Sequence, residues 1–330
     1  MAILLPGLAL SVALAVASAA IAWGEQAIIG GAVIEALVIA IILGVITRNA
    51  TTLPVSTAAG IAFASKPVLE LAVALLGTTV DLRQVGQAGP ALIAGAVLAV
   101  VLGIPVSYGI GRLNHLPTRL AVLVATGSSV CGNSAIAAVA PVIGAEKRDV
   151  ASAIGLTAVI GCVAILALPY TVALVGLTVA QYGVIVGMSV YAVPQVVAAS
   201  LPLGVQAAQV ALLVKLMRVM LLGPVVVVFG LIFRSRTGPT KVRLTTYVPW
   251  FVIAFFVAMG LKSSGLLPSV VTGVVQGVYV YLMIISMAGL GLGVEIAAVR
   301  QVGWRVGLTT VASLLFLIAL GFTVVFVLRV

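Results

Sequence analysis

The sequence predicts an all-α polytopic membrane bundle of about eleven helices (ten to twelve), with interrupted, crossing helices and an inverted-topology repeat. Three observations carry that prediction. The 330-residue chain is 63% apolar and 7% charged, with a mean hydropathy of +1.36, whereas a soluble domain carries about 25% charged residues. The apolar residues form long runs punctuated by proline, glycine and charge. One helix end, with the loop that follows it, occurs twice, at Leu76 and again at Leu290. Nothing is left over for a soluble domain, so residues 1–330 read as a single transmembrane domain.

A bilayer core about 30 Å thick takes about 20 apolar residues per helix. The first run, 6–23, contains Ala15-Val16-Ala17-Ser18-Ala19, which imitates a signal-peptidase site; lacking a basic stretch before it, it reads as a retained first span. The spans that follow are 32–47, 68–80, 90–110, 120–140, 150–177, 182–200, 208–233, 248–261, 270–293 and 306–328. The third is short, which in a membrane indicates a broken, tilted or protein-enclosed helix.

The formal charge of +10 comes from 17 Lys and Arg set singly or in short loops, without the basic stripe that nucleic acid requires. They read as topology signals. One set of alternate loops holds Arg48, Lys66, Arg112, Arg119, Arg234, Arg236, Lys241, Arg243, Arg300 and Arg305; the other holds Arg83, Lys147, Arg148, Lys262 and the terminal Arg329. The positive-inside rule makes the first set cytoplasmic, with the amino terminus inside and the carboxyl terminus outside.

The repeated helix end reads Leu76-Gly77-Thr78-Thr79-Val80-Asp81, then Arg83-Gln84-Val85-Gly86, and Leu290-Gly291-Leu292-Gly293-Val294-Glu295, then Arg300-Gln301-Val302-Gly303. An odd number of spans separates the copies, so they face opposite sides, as expected of an inverted repeat. Asp81 and Glu295 read as interfacial charges at those ends. A second similarity, sixty residues apart, pairs Gly127, Ser129, Val130, Ala138 and Gly144 with Gly187, Ser189, Val190, Ala198 and Gly204. Two spans separate these, which makes them parallel. Such matches also arise from Ala/Val/Gly-rich composition, so the second similarity weighs less than the first.

Three polar constellations interrupt the apolar runs. The fifth span contains Thr126-Gly127-Ser128-Ser129-Val130-Cys131-Gly132-Asn133-Ser134. Small polar residues with two glycines open a helix, and an open helix survives in hydrocarbon where protein or a water-filled cavity satisfies its backbone. A half-helix amino terminus carries partial positive charge and suits an anion; the competing role for such residues is close helix packing, as at Gly183/Gly187 and Gly273/Gly277. Ser128, Ser129, Cys131, Gly132, Asn133 and Ser134 are therefore candidate substrate contacts. In the seventh span Pro194 kinks the helix and Gln195 offers a donor and an acceptor beside the kink. Lys215 and Arg218 share one face of the eighth span, and intramembrane charges need partners, for which Glu35 and then Glu70 are the candidates.

Other chemistries find little support. Cys131 and Cys162 lie in apolar runs, so neither a disulfide framework nor a metal site is indicated. His115 reads as a solvated loop residue, and with Cys131 it lacks an orienting acid. Gly289-Leu290-Gly291-Leu292-Gly293 has no phosphate-loop context. No enzyme, cofactor or metal is expected.

The run from Val124 to Ala145, VATGSSVCGNSAIAAVAPVIGA, together with Val214-Lys215-Leu216-Met217-Arg218, resembles the YeiH-type family of proposed sulfate exporters. Ala40-Ile41-Ile42-Leu43-Gly44, Leu75-Leu76-Gly77, Val248-Pro249-Trp250-Phe251 and Met287-Ala288-Gly289-Leu290-Gly291-Leu292 fall in that family's order. The resemblance implies a bacterial inner-membrane carrier with crossed, interrupted helices, related to cation/proton antiporters. Many members look like His-Asp-Thr where this chain has Tyr191-Ala192-Val193, which bears on coupling or specificity.

The expected function is a secondary transporter exporting a small anion, sulfate or a related sulfur-containing one. The fifth and seventh spans line its site, and Lys215 and Arg218 supply positive potential. Expected partners are that anion, a coupling proton or sodium ion, the bilayer and a second copy in a homodimer; nucleic acid is not among them. The alternatives are a passive anion channel, or a cation/proton antiporter using Glu35.

Overall fold

The computed structural model describes residues 3–29, 36–79, 89–233, 250–295 and 303–328, and every regular element among them is helical. In chain order these are α1 (Leu5–Ile29), α2 (Ala36–Ala50), the rod α3 (Val55–Thr79), α4 (Gly89–Val101), α5 (Gly103–Leu113), α6 (Thr118–Ser129), α7 (Asn133–Ile143) and α8 (Lys147–Ala167). Then come α9 (Tyr170–Val175), α10 (Val179–Ser189), α11 (Val193–Ser200), α12 (Val205–Met220), α13 (Leu222–Ile232), α14 (Trp250–Ser263), α15 (Ser269–Leu292) and α16 (Trp304–Leu328). Among the described residues seven stretches are long and apolar enough to cross a bilayer: α1, α3, α4 with α5, α8, α12 with α13, α15, and α16. Packing divides the chain, read above as one domain, into two compact units. Unit 1 comprises Met1–Val85 and Trp250–Ala297, and unit 2 comprises Gly86–Pro249 and Ala298–Val330.

In unit 1, α15 lies along α2 and against α1. Glycines set how close these helices come. A Cβ on Gly44 would stand 2.6 Å from Ala288 O and 2.8 Å from Leu292 N, and one on Gly60 would stand 2.7 Å from Gly7 Cα. The glycines of the 289–293 run belong to this packing: Gly289 backs onto Ala64 and Gly291 onto Gly44. Gly273 and Gly277, expected to pack the same way, have nothing within 4 Å of their Cβ positions. At one end of the unit Arg48 pairs with Glu295 at 2.9 Å and Asn49 Nδ2 donates to Val294 O at 2.9 Å, tying α2 to the end of α15. Rod α3 contains a π-turn at Ala64–Val68, where Pro67 contributes no N–H. The two copies of the repeated helix end both fall in this unit, but their loops, 80–88 and 296–302, lie outside the described residues.

Unit 2 is built around α12. Gly183 and Gly187 of α10 face it, and a Cβ on Gly187 would stand 2.5 Å from Ala211 O. Helix α8 packs on α6, and α16 on α5 and α10. Two helices of this unit stop in mid-course and restart, α6 into α7 and α10 into α11.

Candidate functional site: two helix breaks and two buried cations

The first break follows from its glycine. Val130 leaves helical geometry at φ −112°, ψ −85°, and Gly132 takes φ +65°, ψ −126°, a region that side chains with a Cβ rarely enter. Helix α7 then begins at Asn133. The second break follows from its proline. Val190 and Ala192 are extended, at φ −70°, ψ 141° and φ −101°, ψ 147°, and Pro194 sits in the first turn of α11, where its missing N–H costs nothing. The two breaks touch: a Cβ on Gly132 would lie 3.4 Å from Tyr191 O.

A helix that stops leaves its last carbonyls without partners. Here side chains of α12 supply them. Lys215 Nζ donates to Val130 O at 2.7 Å and Val190 O at 3.0 Å. Arg218 Nε donates to Ser129 O at 3.0 Å and Nη2 to Ser128 O at 2.9 Å, while Nη1 donates to Gly187 O at 2.7 Å and Met188 O at 2.6 Å. Both side chains are fully buried. Stepping one turn back along α12, from Arg218 to Lys215, moves the acceptors forward along both partners, from Ser128 and Ser129 to Val130 and from Gly187 and Met188 to Val190. Gly183 and Gly187 of α10 meet Ala207 and Ala211 of α12 in the same order, so α10 and α12 run parallel. Val130 and Val190, paired in the sixty-residue similarity, both give their carbonyls to Lys215.

Carboxylates were expected to neutralise these cations, and backbone carbonyls occupy that place. Unit 2 has two carboxylates, Glu146 and Asp149, at the cap and first turn of α8, and neither Lys215 nor Arg218 pairs with one among the described residues. Glu70 belongs to unit 1, where its Oε2 accepts from Trp250 Nε1 at 2.7 Å. Glu35 lies outside the described residues.

The other candidates divide by break. At the first, Ser128 and Ser129 are buried with hydroxyls that have no partner among the described residues, and Cys131 and Gly132 are buried. Asn133 is half-buried, its Oδ1 3.2 Å from Thr157 Oγ1 of α8, and Ser134 is exposed. The backbone N–H groups of Asn133 and Ser134 have no partner among the described residues. At the second, Gln195 is buried and both ends of its amide are used: Oε1 accepts from Ala192 N at 3.2 Å and Nε2 donates to Ala158 O of α8 at 3.1 Å. Tyr191, also buried, donates to Thr310 O of α16 at 2.8 Å. Sequence reasoning met Tyr191 only as a departure from the look of relatives, and missed Gly161 and the carbonyl ligands. Gly161 carried no visible signal, and main-chain carbonyls carry none in any sequence.

The family model described as conserved hypothetical protein 698 matches residues 6–310. The chain belongs to this family, the UPF0324 or YeiH-type membrane proteins. A UPF0324 membrane protein of Brucella suis biovar 1 is 48% identical over 320 residues, which cover 96% of this chain and 95% of that one. One of Bradyrhizobium diazoefficiens is 42% identical over 325 residues, covering 98% and 92%, and one of Bacillus cereus is 32% identical over 294 residues, covering 88% and 84%. No solved structure matches the chain. A UPF0324 protein with seven long apolar helices is a multi-pass membrane protein.

Proposed function

We propose that this UPF0324 protein is a secondary transporter of the bacterial inner membrane that exports a small anion, sulfate or a related sulfur-containing anion, held at the start of α7. The observation that carries the reading is the pair of fully buried cations, Lys215 and Arg218, which bond to carbonyls and, among the described residues, to no carboxylate. A central Lys or Arg costs about 2.5 to 3.5 kcal/mol to insert, and more when unpaired. Counting a half-charge for each helix end, the carboxyl ends of α6 and α10 contribute about −1 and the amino ends of α7 and α11 about +1, so a charge of about +2 remains around the breaks. An anion is the ligand that field favours. The unpartnered N–H groups of Asn133 and Ser134, with the Ser134 hydroxyl and the Asn133 carboxamide beside them, supply the donors for an oxyanion.

Each broken pair folds back on itself, with Gly127 of α6 against Ile136 of α7 and Tyr182 of α10 bonded to Ala199 O of α11. A carrier of this kind draws its energy from a coupling proton or sodium ion. The cation/proton antiporter reading rests on Glu35, in unit 1, since unit 2 holds its carboxylates at the start of α8.

The test is flux into proteoliposomes, using a panel of small anions that includes sulfate, with and without a pH gradient. Saturable anion flux accelerated by the gradient is the expected result. Flux that rises linearly with concentration and ignores the gradient identifies a passive channel. Proton-coupled cation flux that Glu35→Gln abolishes identifies the antiporter.

A further inference from the structure

We infer that Gln195 is a positioning residue: it locks the second break onto α8, so that the second break is a fixed abutment and the first, whose half-helix starts at less buried residues, is the one open to a ligand. The inference rests on the anion reading for its transport consequence and on geometry for the lock itself. Each half of the Gln195 amide is engaged, one end by Ala192 N–H within its own turn and the other by Ala158 O on α8. Gly161 of α8 makes the space, because a Cβ there would lie within 2.4 Å of the Gln195 Cδ, in collision with the amide. Two phenols brace the same segment: Tyr182 of α10 donates to Ala199 O of α11 at 2.7 Å, and Tyr191 in the break donates to Thr310 O at 2.8 Å.

Pro194 removes one of the N–H groups that α11 would otherwise present, the Ala192 N–H is capped, and the remaining N–H groups, of Val193 and Gln195, belong to buried residues. The first break is more open. No side chain caps the start of α7, Asn133 is half-buried, and Ser134 is exposed. Gly132 rests against Tyr191 of the second break, and Cys131 beside Gly132 is 6% exposed. Releasing Gln195 is therefore expected to loosen this contact and raise the exposure of Cys131.

Cysteine labelling reads this directly. In a Cys162→Ser background, Cys131 is the single thiol, and its maleimide reaction rate is measured in detergent-purified protein with Gln195→Met and, separately, Gly161→Ala. Gln195→Met keeps the length of the side chain and loses both hydrogen bonds; Gly161→Ala displaces the amide without altering it. Both are expected to react about tenfold faster than the background, and to raise the half-saturating anion concentration about tenfold, which corresponds to about 1.4 kcal/mol of lost restraint. Folded variants that react at the background rate overturn the lock.

Hydrogen exchange on the unmutated protein decides the matter where a variant does not fold. The Ala192 amide is expected to be protected, and the amides of Asn133 and Ser134 to exchange freely; equal or reversed protection overturns the inference. If the unmutated protein shows no saturable anion flux, the transport reading fails while labelling and exchange still decide the lock.

Discussion

The two breaks of unit 2 stand sixty residues apart and give their carbonyls to the same two cations, yet they are made by opposite means. The first depends on a glycine at positive φ, whereas the second depends on extended backbone, a proline and a buried amide. The first starts its second half-helix at half-buried Asn133 and exposed Ser134, and the second at buried Val193 with its Ala192 N–H capped by Gln195. The shared feature, carbonyls turned to Lys215 and Arg218, is what a broken helix needs in order to exist at all in a low-dielectric interior. The differing feature, what faces the next half-helix, is free to specialise.

The largest expected effect falls on the shared feature. Arg218→Ala strands four carbonyls, and loss of one partner from a buried charged network costs about 3 to 5 kcal/mol. Yield and thermal stability in detergent should fall sharply. Arg218→Lys should recover little, since an ammonium cannot reproduce a fork reaching two helices. Lys215→Ala strands two carbonyls, so its stability loss should be smaller, while anion flux per folded molecule should vanish. A double alanine variant with normal flux would remove the cations from the mechanism.

Next comes the pair Gly132 and Ala192, equivalent in the sixty-residue register. Gly132→Ala forces a Cβ into φ +65° and should cost about 1 to 3 kcal/mol by thermal or denaturant unfolding. Ala192→Gly, at φ −101°, should cost about 0.5 to 1 kcal/mol through chain entropy alone. Equal costs would mean that the two breaks are not made differently.

A functional contrast follows at smaller amplitude. Asn133→Ala and Ser134→Ala should each raise the half-saturating anion concentration about tenfold, the loss of one charge-assisted hydrogen bond, with thermal stability nearly unchanged. Val193→Ala at the start of α11 should leave that concentration unaltered. Reversal of this pattern would move the ligand to the second break.

The smallest contrast lies one helical turn below the breaks. A Cβ on Gly187 meets Ala211 O at 2.5 Å, a backbone atom that cannot yield, whereas one on Gly127 meets Ile136 Cδ1 at 2.8 Å, the end of a flexible side chain. Gly187→Ala should therefore cost about 1 to 3 kcal/mol and Gly127→Ala less, both measured by thermal unfolding.

Much of this was legible in the chain. Sixty-three per cent apolar composition with 7% charge leaves the bilayer as the only solvent in which the chain can bury itself, and that fixes the helical class, because helices satisfy their own backbone. The run Ser128 to Ser134 is too polar for packing alone, and a helix break does lie there, at Val130 to Gly132. Lys215 and Arg218, three apart on one helix, are enclosed by protein, as their insertion cost requires. The sixty-residue similarity was present too, but small apolar residues repeat by chance, and only a shared pair of hydrogen-bonding cations separates a structural match from a compositional one.

What the sequence by itself determined is the solvent, the helical class and the places where a helix cannot continue, since these follow from hydropathy, glycine, proline and buried charge along the chain. Tertiary structure decided the partners. A carboxylate is visible in a sequence and a main-chain carbonyl is not, because every residue has one; which carbonyls lose their helical partners, and turn to Lys215 and Arg218, depends on three helices meeting in space. The use of Gln195 was decided in the same way, by a glycine on another helix that leaves room for its amide.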